Sequence, residues 1–318
     1  MLTLNEIANY LGLKCDSDVE ITALNTLIEA NENELTFLEN KKYLKDLGKT
    51  TAAAVLIKKE LAHLVPSNTV ALVCEEPYVN LAYCSKLFAP NLIETTGREP
   101  NIGRDTTIMP NVYLGKDTII GENCTIMAGS FIGDNVKIGN NTTIYPNVSI
   151  YRDCIIGNDT IIHSGTVIGS DGFGFANTKD GKYIKIYQNG NVIIGNDVEI
   201  GSNCSIDRAV FKSTIINDGC RLDNLIHVAH NCKLGVGCIL TGQVGLSGST
   251  TLHEYVIMGG QSATAGHLEI APFTTIAARG GVTKSIKEPK KQWAGFPLFE
   301  HKQWLRLQSK ISNLLKKG

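Results

Sequence analysis

Aliphatic residues recur every six positions through most of this chain. Ile102, Ile108, Leu114, Ile120, Ile126, Ile132, Ile138, Ile144, Ile150, Ile156, Ile162 and Ile168 are twelve consecutive hits. The frame resumes at Ile194, Ile200 and Ile206, slips by four residues, and runs for twelve more units from Ile216 to Val282. Thr264 is the one polar residue among these 27 key positions. A short fixed period over so long a stretch marks a stack of repeats rather than separate helices and strands. Each unit offers one inward aliphatic residue, a small residue four places on, and a polar corner. Gly follows the key residue in many units (Gly103, Gly115, Gly121, Gly133, Gly139, Gly157, Gly169), and Asn, Asp and Gly crowd the next places. Such residues tolerate tight corners and positive φ. Three units of six close one triangular coil, and nine coils stacked at about 4.8 Å give a prism roughly 43 Å long.

The period is missing before residue 100. There Thr3 and Glu6 form a capping-box pattern ahead of an amphipathic stretch to Leu13, predicting a first helix. Ala52 to Ile57 and Thr69 to Cys74 read as buried strands, and Pro77 opens a helical pattern through Leu87. Residues 175–191 break the prism and are expected to protrude as a loop. After Pro289 a helical apolar face appears at Leu298, Trp304, Leu305, Leu307, Ile311, Leu314 and Leu315. The expected organisation is mainly β: a small α/β domain over 1–99, a parallel β-helix over 100–284, and a helical tail over 285–318.

Composition then falls into place. With 31 Gly and only 7% aromatics in 318 residues, the core is aliphatic. Six of the nine cysteines (Cys124, Cys154, Cys204, Cys220, Cys232, Cys238) lie four places after a key residue, so they read as small buried hydrophobes. No CxxC-like spacing points to a metal or redox cluster. Thiols at this frequency fit a reducing compartment. The formal charge of -1 excludes an overall basic excess for nucleic acid, but nine Lys/Arg against two Glu from residue 284 onward make the tail +7 and the rest -8. That tail is either a solvated face or a dock for an acidic partner. The N-terminus lacks a basic n-region, and the longest apolar run, Ala52 to Ile57, falls far short of the ~20 residues of a membrane helix. A cytoplasmic protein is expected.

The densest polar cluster in the repeats is Asp223-Asn224-Leu225-Ile226-His227-Val228-Ala229-His230-Asn231. His267 follows His230 by two coils plus one residue, so both belong near one edge at roughly 10 Å axial separation. Gly248 lies one full coil from His230, where its N–H can approach a group held beside that histidine. Asp223 precedes His230 by one unit and one residue and is a possible orienter of the imidazole. A neutral imidazole with a backbone donor nearby suits acyl transfer: His230 takes the proton and the Gly248 N–H holds the oxyanion. No Ser nucleophile motif is present, so direct attack by the acceptor on a thioester is the simplest scheme. A histidine merely satisfied at a prism corner is the competing reading. A zinc hydro-lyase, with His227 and His230 imitating a ligand pair, and a rigid spacer solenoid are the other classes, and a plain spacer has no use for the N-terminal domain.

Several ordered motifs narrow this choice. They are Ser164-Gly165-Thr166-Val167-Ile168-Gly169-Ser170-Asp171-Gly172-Phe173-Gly174-Phe175-Ala176, Val192-Ile193-Ile194-Gly195, Ser205-Ile206-Asp207-Arg208, Asp223-Asn224 and Ala229-His230-Asn231. On these the chain resembles the bacterial UDP-3-O-acylglucosamine N-acyltransferases of lipid A synthesis along nearly its whole length. The resemblance implies a left-handed β-helix, a homotrimer and a cytoplasmic enzyme of a Gram-negative bacterium. It implies transfer of an (R)-3-hydroxyacyl group from the phosphopantetheine thioester of acyl carrier protein to the 2-amine of UDP-3-O-acylglucosamine, with no cofactor or metal. Phe37, Asn40 and Tyr43 match the family's Phe-x-x-Asn-x-x-Tyr arrangement, in which the aromatics sandwich uracil and the amide bonds it. By the same likeness His230 is the general base, Gly248 the oxyanion donor, and His267 a contact to the nucleotide sugar near its diphosphate. The tail resembles the helix that packs about the trimer axis and helps receive acyl carrier protein. His227 stands where Gln is common, and Tyr187 interrupts the usual Lys-Ile-Pro-Gln. The runner-up is the related O-acyltransferase acting on UDP-N-acetylglucosamine, or another hexapeptide sugar-nucleotide N-acyltransferase; the O-acyltransferase begins its repeats near residue one and lacks the uridine domain.

Overall fold

The computed structural model describes residues 2–91, 94–296 and 300–315. The period-six segment forms a left-handed parallel β-helix. Its 27 repeat strands, two to five residues long, lie nine to a face in three sheets, so the repeats close nine coils. Neighbouring strands pair 18 residues apart, as in Ile126↔Ile144. Across the two frame breaks the spacing stretches, to Ile156↔Ile194 and Ile200↔Leu222, and after Ile168↔Ile206 a bulge shifts the register so that Ser170 pairs with Asp207. The key residues from Ile120 to Val282, Thr264 apart, form one buried aliphatic column that Ile286 continues.

The corners divide their labour differently from the expectation. The left-handed residue of most corners is the third after the key position, and up to Asn203 it is Asn, Asp or Gly: Asp105, Asn111, Asp117 and Asn123 have φ of 55–63°. Short side chains that bond locally tolerate this region better than others. Most glycines after the key residue serve close approach instead. A Cβ on Gly103 would sit 2.5 Å from the carbonyl of Gly121 on the next coil. The six cysteines are buried and free, yet they are more than small hydrophobes. Cys124, Cys232 and Cys238 donate to the carbonyls of Gly139, Ser247 and His253 on the next coil (3.0–3.2 Å). Thr118 and Thr142 donate to Gly133 and Gly157 in the same way.

The N-terminal domain is a four-stranded parallel sheet in the order Ala23–Leu24, Glu34–Phe37, Ala54–Ile57, Val70–Val73. Helix α1 (Leu4–Tyr10) carries the expected capping box, since Glu6 N–H bonds Thr3 Oγ1 and Thr3 N–H bonds Glu6 Oε2. It ends three residues before Leu13, where the Leu13 N–H turns back to the Ala8 carbonyl. Helix α2 (Leu44–Leu47) is one turn, and α3 (Pro77–Leu87) begins at the proline as read.

The prism interruption is not a protruding loop. Phe175–Asn177 and Tyr183–Lys185 pair as an antiparallel hairpin that lies on α3. Ala176 and Ile186 bury against Val79 and Ala82. Tyr187 N–H donates to Ser85 Oγ at 2.8 Å, and Asn189 Nδ2 to the Ser85 carbonyl at 2.9 Å. The four-residue slip also touches the N-terminal domain, because Phe211 enters that domain's core. Both frame breaks therefore seat the α/β domain on the prism. Beyond residue 284, Gln292–Trp293 adds a tenth strand to one sheet before helix α4 (His301–Leu315). Trp304, Leu305, Leu307, Ile311 and Leu314 are exposed on α4, and Leu298 lies outside the described residues.

Candidate active site

His230 occupies a prism corner, followed by Asn231 at φ 60°. Asn231 is held from both ends of its amide. Its Oδ1 accepts the Val210 N–H (3.0 Å), and its Nδ2 donates to the Phe211 carbonyl (3.0 Å). Both partners belong to the slip between the second and third runs of repeats. The oxygen so fixed lies 3.1 Å from His230 Nδ1. A carbonyl oxygen can only accept, so Nδ1 carries a proton, and in the neutral ring the lone pair is on Nε2.

The imidazole is wedged between glycines. A Cβ on Gly248 would come within 2.7 Å of both Cε1 and Nε2, and one on Gly172 within 2.7 Å of His230 Cβ. The N–H of Gly248 is available to a ligand. At several equivalent corners the N–H is capped by a side-chain oxygen from the next coil, as Glu122 by Asn140, Asn140 by Asn158 and Ser202 by Asn224 (all 2.8 Å). One coil beyond Gly248 stands Gly266, which has no side chain, and among the described residues the Gly248 N–H has no acceptor. An uncapped backbone donor beside an imidazole is a place for developing negative charge.

The opposite wall comes from the N-terminal domain. Phe37 ends a sheet strand, and Asn40 caps the turn Lys41–Tyr43, its Oδ1 accepting the Lys42 N–H at 3.0 Å. Phe37, Asn40 and Tyr43 line the same open cleft, about 640 Å³, as His230 and His267. A second cavity of about 490 Å³ continues from it past Phe37 and Tyr78. Tyr78 (5.8 Å from Phe37, ring to ring) and Lys42 (4.7 Å above the Tyr43 ring) also face the cleft and were missed by sequence reasoning. Two aromatics and an amide with a free Nδ2 donor suit a flat polar base. His267 stacks two coils above His230 at the same edge, as spacing predicted: Ser249 N–H bonds the His230 carbonyl and His267 N–H the Gly248 carbonyl. Partial burial holds the His267 pKa down, reinforced by Lys42 and His230.

Asp223 does not reach His230. One unit is one edge of the triangle, so its carboxylate lies at the preceding corner, accepting from Asn224 Nδ2 (2.9 Å) and Gly242 N–H (3.0 Å). The buried carboxylate near the histidines is Asp207, bonded by Ser170 and Ser205 and 3.8 Å from His227 Nε2. Burial pushes its pKa up, against the pull of His227, the two serines and His230. The adjoining Arg208 is 4% exposed and donates to the carbonyls of Gly169 (2.7 Å) and Arg152 (2.8 Å), clamping the start of the hairpin insertion. Among the described residues no cluster of three His, Cys, Asp or Glu could hold a metal.

A β-helix of hexapeptides with an imidazole base and a free backbone donor in a cleft walled by a second domain defines a hexapeptide-repeat acyltransferase. The comparisons agree. A family model described as bacterial transferase hexapeptide matches residues 99–134 and 135–170, and the hexapeptide repeat of succinyl-transferase matches 191–224. Residues 18–87 match the family described as UDP-3-O-(3-hydroxymyristoyl) glucosamine N-acyltransferase, LpxD. The chain is 52% identical over 318 residues, all of both chains, to UDP-3-O-acylglucosamine N-acyltransferase 1 of Sulfurimonas denitrificans. It is 50% identical to the Campylobacter lari UDP-3-O-acylglucosamine N-acyltransferase, covering 98% of this chain and 97% of that one. Among solved structures, the UDP-N-acetylglucosamine acyltransferases of Arabidopsis (22% identity, TM-score 0.56, 64% of this chain, 71% of that one) and Campylobacter jejuni (20%, 0.54, 66% and 86%) share the fold. The chain belongs to the UDP-3-O-acylglucosamine N-acyltransferase family.

Proposed function

We propose that this enzyme acylates the 2-amine of UDP-3-O-acylglucosamine with an (R)-3-hydroxyacyl group carried as a thioester on acyl carrier protein, in lipid A biosynthesis. The observation that carries the mechanism is the uncapped Gly248 N–H packed against an imidazole whose Nε2 is free. The acceptor amine attacks the thioester carbonyl, His230 Nε2 takes the amine proton, and the Gly248 N–H holds the oxyanion. As the tetrahedral intermediate collapses, the C–S bond breaks and the imidazolium returns the proton to the departing thiolate. The products are an amide and a free carrier thiol.

Phe37 and Tyr43 grip the uracil, Asn40 Nδ2 donates to a uracil carbonyl, and His267, with Lys42 close by, meets the diphosphate. No cofactor or metal takes part. The working enzyme is a cytoplasmic homotrimer in which α4 packs about the three-fold axis. Its basic residues receive the acidic carrier protein. The test is transfer from (R)-3-hydroxyacyl carrier protein to UDP-3-O-acylglucosamine and, separately, to UDP-N-acetylglucosamine. Amide product from the first alone supports this reading, and ester product from the second overturns it in favour of the O-acyltransferase.

A further inference from the structure

Asp207 is a buried carboxylate that the transfer chemistry leaves unused. Among the described residues the buried acids are Asp134 and Asp207, at 9% and 5% exposure. Asp134 is explained by its place, because it accepts the backbone N–H groups of Lys116 and Glu94. Asp207 is held differently. Its Oδ1 accepts from the hydroxyls of Ser170 (3.3 Å) and Ser205 (3.4 Å), and its Oδ2 lies 3.8 Å from His227 Nε2. A buried anion with so few partners costs stability that an amide of the same shape would not, so its presence points to a use for the charge.

Strand register places this charge under the catalytic histidine. Asp207 pairs with Ser170 on the coil below, and Ser205↔His227 and Ile206↔Val228 pair with the coil above, so the residue over Asp207 is Ala229, the neighbour of His230. Ser170 is two residues before Gly172, where a Cβ would come within 2.7 Å of His230 Cβ. The carboxylate is thus bracketed by the two segments that hold the imidazole, and His227 and His230 both favour its ionised form. His230 Nδ1 is taken by Asn231 Oδ1 at 3.1 Å, so the carboxylate acts on the ring across space. The other charged groups about the ring are basic or paired. His267 stands above it, Lys42 reaches the cleft from the N-terminal domain, and His227 covers Asp207. At the root of the hairpin Asp171 is neutralised by Lys185 (2.7 Å), and Arg208, next to Asp207, gives its guanidinium to the carbonyls of Gly169 and Arg152.

We propose that Asp207 is the counter-charge of the imidazolium that His230 becomes when it takes the proton of the attacking amine. This deepens the catalytic reading above and rests on it. The carboxylate moves no proton and touches no substrate, so it is a positioning residue that acts through His230. In the resting enzyme it makes Nε2 a stronger base. In the transition state, as the amine proton passes to the ring, a fixed negative charge beneath the ring offsets the new positive one. His227 covers the carboxylate on its solvent side and so limits screening by water.

The experiment titrates the His230 imidazole by NMR in the full-length protein carbon-labelled at histidine Cε1, assigned with His230→Ala, and records the pH profile of kcat/KM for acyl transfer. It compares the wild type, Asp207→Asn, Asp207→Ser and His227→Gln, with melting temperature and oligomeric mass measured for each. Both Asp207 variants are expected to lower the His230 pKa and the acidic limb of the profile by about one unit. They should lower kcat about tenfold or more at a KM within a few-fold of wild type. Asp207→Ser supplies the reading if the amide variant does not fold. His227→Gln keeps the carboxylate, so its limb is expected at the wild-type position or higher. An unmoved His230 titration in a folded Asp207 variant, activity lost only in step with melting temperature, or a downward shift in His227→Gln equal to that of Asp207→Asn would overturn the assignment. A wild type that transfers to neither acceptor would instead refute the functional reading, while the His230 titration, which needs no turnover, still decides the charge coupling.

Discussion

Asn231 Oδ1 lies 3.1 Å from His230 Nδ1, and two backbone groups of the frame slip, Val210 N–H and Phe211 C=O, dictate which end of the amide faces the ring. The irregularity in the repeat thus sets the tautomer of the base. Asn231→Ala should lower kcat by about 10- to 100-fold with a smaller change in KM, because the imidazole loses its orienting partner. Asn231→Asp places a carboxylate beside Nδ1, which favours the imidazolium, so the acidic limb of the kcat/KM profile should move to higher pH by about one unit. Steady-state pH profiles of the two variants check this, and an unmoved limb in Asn231→Asp would count against the contact.

Gly248→Ala tests the close approach. The added methyl lies 2.7 Å from Nε2, so the ring must swing away and the N–H loses its alignment with the reacting carbonyl. Activity should fall by at least about 100-fold. Stability should fall by about 1–3 kcal/mol, the usual range for overpacking, measurable by denaturant titration.

His267 supplies the pH dependence of nucleotide binding. Burial, Lys42 and His230 hold its pKa below 6.5, so it is neutral in the free enzyme at neutral pH. A bound diphosphate favours the charged ring and raises that pKa, so binding takes up a proton. UDP-sugar affinity should therefore strengthen as pH falls from 8 through the ordinary histidine range, about 6.5, and His267→Gln should flatten the slope. Calorimetry in buffers of different ionisation enthalpy counts the proton directly. In the empty protein the sign is the reverse: a depressed histidine pKa contributes stability that is full above the unfolded value and lost as pH drops through the folded one.

Arg208 joins the hairpin insertion to the prism through two carbonyls, with 4% of its surface exposed. Arg208→Met fills the space but leaves both acceptors unpaired, which should cost about 2–4 kcal/mol. Arg208→Lys should recover only part of that loss, since an ammonium lacks the planar fork. Chemical denaturation of the three proteins gives the order.

The prism was legible because each coil repeats the same burial: one aliphatic residue per six positions reports the whole architecture, and arithmetic in units of 18 brought His230, Gly248 and His267 to one edge. The same arithmetic misplaced nothing along the axis, but it left Asp223 ambiguous, and one unit around the triangle carries it to another corner. The hairpin was read as a protruding loop because its partners, Val79, Ala82 and Ser85, lie about a hundred residues earlier, and period-six spacing carries no information about them. Phe211, Tyr78 and Lys42 were invisible for that reason too. The frame break at residues 207–212 was the available signal for Asn231's anchors, since a repeat that stops repeating is being used for something else. Phe37, Asn40 and Tyr43 surfaced through family likeness alone, as their spacing reads locally as a strand end and a turn.

The most direct measurement is single-turnover transfer from (R)-3-hydroxyacyl carrier protein to UDP-3-O-acylglucosamine by His230→Ala, alongside its UDP-sugar affinity and oligomeric mass. The account predicts loss of transfer by at least about 100-fold, nucleotide affinity within a few-fold of wild type, and an intact oligomer. Near-normal turnover by that variant would contradict it.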